Sequence, residues 1–219
     1  SPSGHWLVVA NAGSDTLSVL DTRTDKIVET VWMRQHPADL FGAQPNALAF
    51  DKSGKQLFVC NGSQNAVAVV NFKPGASKPR GLIPVGWFPG AIAFHPSLNQ
   101  LCVANIKGIG STRRLKPGDK VEFNSHNYFG TLSLVNVPVK RDLAAMTQVS
   151  LDNMRYGLLQ EARLPPRPNQ PPRPVPERVG EPSVFKHVVY IIKENRTYDQ
   201  VFGDRSEEHT SELQSRQVI

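Results

Sequence analysis

The chain has 219 residues, 39% of them hydrophobic, and carries a formal charge of +6 with a pI near 9.5. That length suits one or two domains with a sizeable core, and 16 Gly with 18 Pro make the chain rich in turns. The basic residues are dispersed, densest at Arg113, Arg114 and Lys116, and no apolar run is long enough for a membrane-spanning helix, so neither a nucleic-acid partner nor a transmembrane segment is expected.

Self-similarity runs through the N-terminal two thirds. The stretch GHWLVVANAGSDTLSVLDTRTDKIVETV (Gly4–Val31) matches GKQLFVCNGSQNAVAVVNFKPG (Gly54–Gly75). A third copy, LNQLCVANIKG (Leu98–Gly108), resumes after an insertion as GTLSLVNVP (Gly130–Pro138). Each unit is an apolar strand ending in Asn (Asn11, Asn61, Asn105), a Gly-containing turn, a second alternating strand, and then Asp21, Asn71 or Asn136. Two further strands, PNALAFD (Pro45–Asp51) and PGAIAFHP (Pro89–Pro96), precede the later copies. Alternating or β-branched runs such as TLSVL and AVAVV predict strands, and the Gly, Asn, Asp and Ser between them predict tight turns. Pro45, Pro89 and Pro96 fall at strand edges, where a missing N–H is tolerated. The spacing between the strand-ending asparagines, 50 and then 44 residues, is the length of a four-stranded propeller blade.

The words FVCN and CVAN, each followed by a turn and a V-x-V-[DN] strand, resemble the YVTN-type β-propeller repeat. The resemblance covers residues 1–140 and implies a mainly β fold, a partial β-propeller of about three blades, where such propellers close with about seven. Position 1 falls inside a repeat whose leading strand is missing, so a truncated N-terminus is expected. Cys60 and Cys102 read as small buried hydrophobes. They share one face of equivalent strands, which leaves a disulfide open. His5, His36 and His95 show no metal-ligand spacing and read as turn or packing residues. The insertion at residues 109–129 carries Arg113, Arg114, Lys116, Lys120, His126 and Tyr128; it is a decorative loop or a site that cradles an anion or docks a domain.

Beyond the repeats, Leu143, Met146 and Val149, then Met154, Leu158 and Leu159, recur at helical spacing, which predicts connector helices over 141–163. Residues 164–182 hold eight prolines in nineteen positions and read as an extended or polyproline II interdomain linker. From 183 to 204 the character changes again. HVVYII is a short, continuous, β-branched apolar run, the pattern of a strand buried on both faces of an α/β sheet. Glu194 and Asn195 arrive at its carboxyl end, where open α/β sheets place their ligands. A carboxylate beside an amide offers two hard oxygen donors to Mg²⁺, Ca²⁺ or Mn²⁺, and the carboxylate also serves Zn²⁺. TYDQVFGD predicts a short helix ended by Gly203.

The full string HVVYIIKENRTYDQVFGD resembles the first motif of the bacterial phosphoesterase family of the alkaline-phosphatase superfamily, which includes phospholipase C-type enzymes and acid phosphatases. Each position of its E-N-R-[ST]-[FY]-D-x-x-F-G pattern is met from Glu194 to Gly203. The resemblance implies that Glu194 and Asn195 are ligands of a divalent metal ion, that Thr197 to Gly203 form the supporting turn and helix, and that the substrate is a phosphate ester. It also implies a hydroxyl nucleophile and further Asp and His ligands supplied by later segments, and a periplasmic or secreted parent. The order of blades, proline-rich linker and motif is similar to bacterial propeller–phosphoesterase fusions. The rival reading is a non-enzymatic propeller that binds or docks.

Residues 205–219, RSEEHTSELQSRQVI, have no apolar face at either period. Arg205 to Ser215 resembles, without a mismatch, the translation of a common short-read sequencing adapter. The tail is therefore expected to be read-through rather than native sequence.

Overall fold

A computed structural model describes residues 1–36, 39, 42–108 and 129–191. The insertion, read as a decorative loop or a binding one, the expected metal-ligand pair Glu194 and Asn195, the expected TYDQVFGD helix and the tail thus lie outside the described residues, save for Phe129. The described chain is mainly β, built from three antiparallel sheets that form a partial β-propeller. It divides into two units between Ser150 and Leu151.

In the first unit, blade 1 consists of β1 (Trp6–Asn11), β2 (Thr16–Asp21) and β3 (Lys26–Trp32). Blade 2 follows as β4 (Pro45–Phe50), β5 (Gln56–Asn61), β6 (Ala66–Asn71) and β7 (Lys78–Pro84). Blade 3 comprises β8 (Pro89–His95), β9 (Gln100–Asn105) and β10 (Thr131–Asn136). Strand registers show the repeat to be structural: Asn11 faces Thr16, Asn61 faces Ala66, and Asn105 faces Thr131. Hence β1 and β2 are the equivalents of β5 and β6, and of β9 and β10. β1 lies beside β4, and β4 beside β8, so the blades stack face to face in chain order.

That stacking explains why the repeat strands are apolar on both faces. Leu57 and Val59 point to one side of blade 2, Phe58 and Cys60 to the other, and all four are fully buried. Between blades 2 and 3, Phe58, Cys60, Val67, Val69 and Ile83 form one core with Leu101 and Val103, joined by the partly buried Ile92, Phe94 and Val135. The Phe58 and Phe94 rings stack at 5.9 Å. The two cysteines are free thiols, and burial pushes that of Cys60 up to about 12. Their strands are equivalent, as expected, yet a blade separates them: Cys60 faces the core between blades 2 and 3, whereas Cys102 pairs with Leu134 in blade 3 and is partly exposed.

Helix α1 (Lys140–Asn153) closes the lower part of this core with Leu143 and Met146. Its Thr147 hydroxyl accepts the backbone N–H of Leu82 in β7 at 2.9 Å. Gly81 makes the approach feasible, because a Cβ there would stand 2.4 Å from Thr147 Oγ1 and 2.9 Å from Leu143 Cγ.

In the second unit, α2 (Tyr156–Arg163) leads into the proline-rich stretch. Eight prolines keep residues 164–182 out of helix and ladder, but the segment does not run straight. The Arg173 N–H donates to the Pro182 carbonyl and the Val184 N–H to the Arg173 carbonyl, folding the stretch back on itself. Arginine–glutamate pairs fasten the fold: Arg167 with Glu181 at 2.7 Å and Glu177 at 2.8 Å, and Arg178 with Glu161 at 2.8 Å. No described helix is long and apolar enough to cross a membrane.

Candidate functional site

One set of connecting loops meets at the rim where β1, β5 and β9 end. Strand direction puts there the β1–β2 and β5–β6 turns, the connectors from β3 to β4 and from β7 to β8, and the residues flanking the insertion, Ile106–Gly108 and Phe129–Gly130.

One device recurs at this rim. The fourth residue after the strand-ending asparagine is Asp15 in blade 1 and Asn65 in blade 2, both left-handed, with φ of 56° and 51°. Asp and Asn tolerate that conformation better than other side-chain-bearing residues. The Asp15 carbonyl accepts the N–H of Met33, and the Asn65 carbonyl that of Val85. Asp15 Oδ1 accepts the N–H groups of Ala43 and Gln44, its Oδ2 that of Gly42, and Asn65 Oδ1 accepts that of Phe88. Each side chain therefore pins the connector that starts the following blade. Gln44 and Phe88, the residues pinned in common, both have positive φ and both precede the proline that opens the next innermost strand. Sequence reasoning passed over Asp15 and Asn65; their shared offset of four from Asn11 and Asn61 was the available signal.

Around these anchors the rim is aromatic and basic. The Arg34 guanidinium lies 4.6 Å from the Trp32 ring centroid, and Lys107 Nζ lies 5.1 Å from that of Trp87. Ile106 and Phe129 are exposed beside them. Asp15 itself is buried and spends its carboxylate on backbone N–H groups, with Arg34 Nε at 3.8 Å.

Among the described residues there is no group of three or more His, Cys, Asp or Glu side chains placed to hold a metal ion. The approach to the expected ligand pair is described as far as Ile191. Val188 to Ile191 form no ladder and are 81–85% exposed, so the buried strand expected for HVVYII is not formed among the described residues. A strand buried on both faces needs flanking strands and covering helices, and none of the described elements pairs with this one.

No family model and no curated protein matches the chain. Among solved structures, it is similar to hydrazine synthase of Kuenenia stuttgartiensis at 30% identity and a TM-score of 0.42, over 49% of this chain and 28% of that one. A protein from Lactobacillus plantarum matches at 25% identity and a TM-score of 0.42, over 48% of this chain and 33% of its own. A 6-phosphogluconolactonase-like protein of Bacteroides fragilis matches at 21% identity and 0.40, over 48% and 30%. The chain thus spans a third or less of the length of these structures.

Proposed function

We propose that residues 1–204 belong to a propeller-bearing, metal-dependent phosphoesterase that hydrolyses phosphate esters, with Glu194 and Asn195 as two of its metal ligands. The observation that carries this reading is the unbroken string from Glu194 to Gly203 following an apolar run. The donor set fits the group: a carboxylate and an amide oxygen suit a hard divalent cation. Such a cation, when bound, polarises phosphoryl oxygens and makes a nearby hydroxyl a better nucleophile. Within this chain Glu194 and Asn195 would hold and orient that charge, and Thr197 to Gly203 would fix the turn that presents them. The nucleophile and the remaining ligands are supplied from outside these residues. The partial propeller supports the reading as the expected N-terminal partner of the motif, and the reading places the parent in the periplasm or outside the cell.

Two assays test it. The isolated chain, given p-nitrophenyl phosphate with Mg²⁺, Ca²⁺, Mn²⁺ or Zn²⁺, should show no turnover above background. The reading frame that continues Asp204 in the source DNA should encode a protein whose cation-dependent hydrolysis falls at least about 100-fold in Glu194→Gln, in line with loss of a metal ligand. Turnover unaffected by that substitution sinks the assignment. A second reading, a non-enzymatic docking module, draws on the partly exposed aromatic and basic rim around Trp32, Trp87 and Lys107; a continuation of the frame without a hydroxyl nucleophile and Asp/His ligands would favour it.

A further inference from the structure

Asn61–Gly62 is the single Asn-Gly pair in the sequence, and asparagine before glycine is the dipeptide most prone to lose its amide. Without a side chain, glycine leaves its own backbone nitrogen free to attack the asparagine side chain. At the same place in the repeat, Asn11 precedes Ala12 and Asn105 precedes Ile106, whose side chains hinder that attack. Of the three blades, blade 2 therefore carries the labile pair.

The fold demands both residues. Asn61 ends β5 with its side chain 0% exposed, and its Nδ2 donates to Gln64 Oε1 at 2.9 Å. Asn46 of β4 and Phe88 of the β7–β8 connector close over Gly62. A Cβ there would stand 2.8 Å from Asn46 Nδ2 and 2.9 Å from Phe88 Cζ, so no side chain fits without displacing them.

The fold also withholds the reaction. The Gly62 N–H is donated to the Gln44 carbonyl at 3.0 Å. Asn61 has φ −92° and ψ 91°, whereas closing a five-membered ring onto its side chain requires a negative ψ. Reaching that conformation breaks the pairing of Asn61 with Pro45 on one side and Ala66 on the other.

We propose that Asn61–Gly62 is a deamidation site gated by the opening of blade 2. Once the strand opens, the Gly62 nitrogen gives its proton to solvent base and bonds to Asn61 Cγ. The Cγ–Nδ2 bond breaks, and the side-chain nitrogen takes up a proton and leaves as ammonia. Water then hydrolyses either C–N bond of the cyclic imide, giving aspartate or isoaspartate at position 61. Both products resist return to the fold. Asn61 Oδ1 has no hydrogen-bond partner among the described residues, so a carboxylate in its place is a buried charge without a donor. Isoaspartate also routes the main chain through the side-chain carbon, which puts the end of β5 out of register. A transient opening of blade 2 is thereby converted into permanent loss of the fold.

Incubation of the full 219-residue chain at mildly alkaline pH, with and without denaturing urea, tests this, with conversion at position 61 read by peptide mass spectrometry. Conversion should be at least about 100-fold slower in buffer than in urea, because it follows the small open fraction of the blade. When urea is removed from a partly converted sample, gel filtration should return folded chains with Asn61 intact and leave converted chains unfolded or aggregated. Asn61→Asp, which carries the charge without the altered linkage, should lower the urea midpoint or abolish folding. Equal rates in buffer and urea, or no conversion in urea, overturn the inference. So do folded chains that carry the converted residue in proportion to its abundance, or an unchanged midpoint in Asn61→Asp.

Discussion

At Asp15 a single carboxylate accepts N–H groups from Gly42, Ala43 and Gln44 while only 1% exposed. Backbone donors that lose their acceptor away from water cost about 1–3 kcal/mol each, and charge-assisted bonds lie at the upper end. Asn65 performs the same task in blade 2 with one bond, to Phe88 N–H, in a more exposed setting. The two positions share backbone conformation, so the strain of placing Ala at positive φ is common to both substitutions. Asp15→Ala should thus lower unfolding stability by about 2–4 kcal/mol, and Asn65→Ala by about 1–2 kcal/mol. Urea titrations of the two variants check the order. Equal losses would mean that the three bonds to the Asp15 carboxylate contribute no more than the single bond to Asn65.

At the scale of an element, the proline-rich segment is held by charge. The Arg167 guanidinium draws the Glu181 carboxyl down to about 2 and that of Glu177 below its ordinary value. A carboxyl depressed in the folded state contributes its full stabilisation above the ordinary glutamate range, and the contribution is lost as pH falls through the folded value. The Arg167 Nε–H resonance should therefore keep its bonded shift at pH 4 and move toward the free value only as pH falls through about 2. A midpoint at the ordinary glutamate value, near 4.3, would mean the pair is not formed in solution. This fold-back was not legible in the sequence. Proline content forbids helix and ladder, but it does not say where the ends meet, and the partners Arg167–Glu181 and Glu161–Arg178 lie 14 and 17 residues apart. Strands were legible for the opposite reason. LFVCN and AVAVV are paired locally across a short turn, so their alternation and the recurring Asn set strand, register and repeat together. α1 shows the limit of periodicity: its buried stripe runs through Leu143, Met146, Thr147 and Ser150, so Val149, expected on it, falls off it and is exposed. For the proposed metal pair, only the residue types and the string at Glu194 and Asn195 stand in the sequence, whereas a strand such as HVVYII takes its burial from neighbours that its own pattern cannot supply.

Across the whole described molecule, burial is graded by blade order, and so should be local stability. Blade 2 is covered on both faces: Leu57, Phe58, Val59 and Cys60 are consecutive and fully buried, and Val67 and Val70 of the neighbouring strand are as well. Blades 1 and 3 each have one covered face and one that exposes Leu7 and Val9 or Leu132 and Leu134. Opening blade 2 exposes apolar surface on both sides, at about 25 cal/mol per Å², whereas opening β1 or β10 sacrifices one. The Glu29 carboxylate accepts N–H groups of Gly75 and Ser77 across blades 1 and 2, but that turn is partly exposed and the bonds exchange with water. Native-state hydrogen exchange on dilute monomer should accordingly rank β5 and β6 slowest and β1 and β10 fastest among the paired strands. Substituting Phe58, whose ring stacks on Phe94, by Ala should then accelerate β5, β6, β8 and β9 together while leaving β1 near its original rate. If β1 accelerates equally, the three blades open as one cooperative unit, and burial graded by blade does not set their stability.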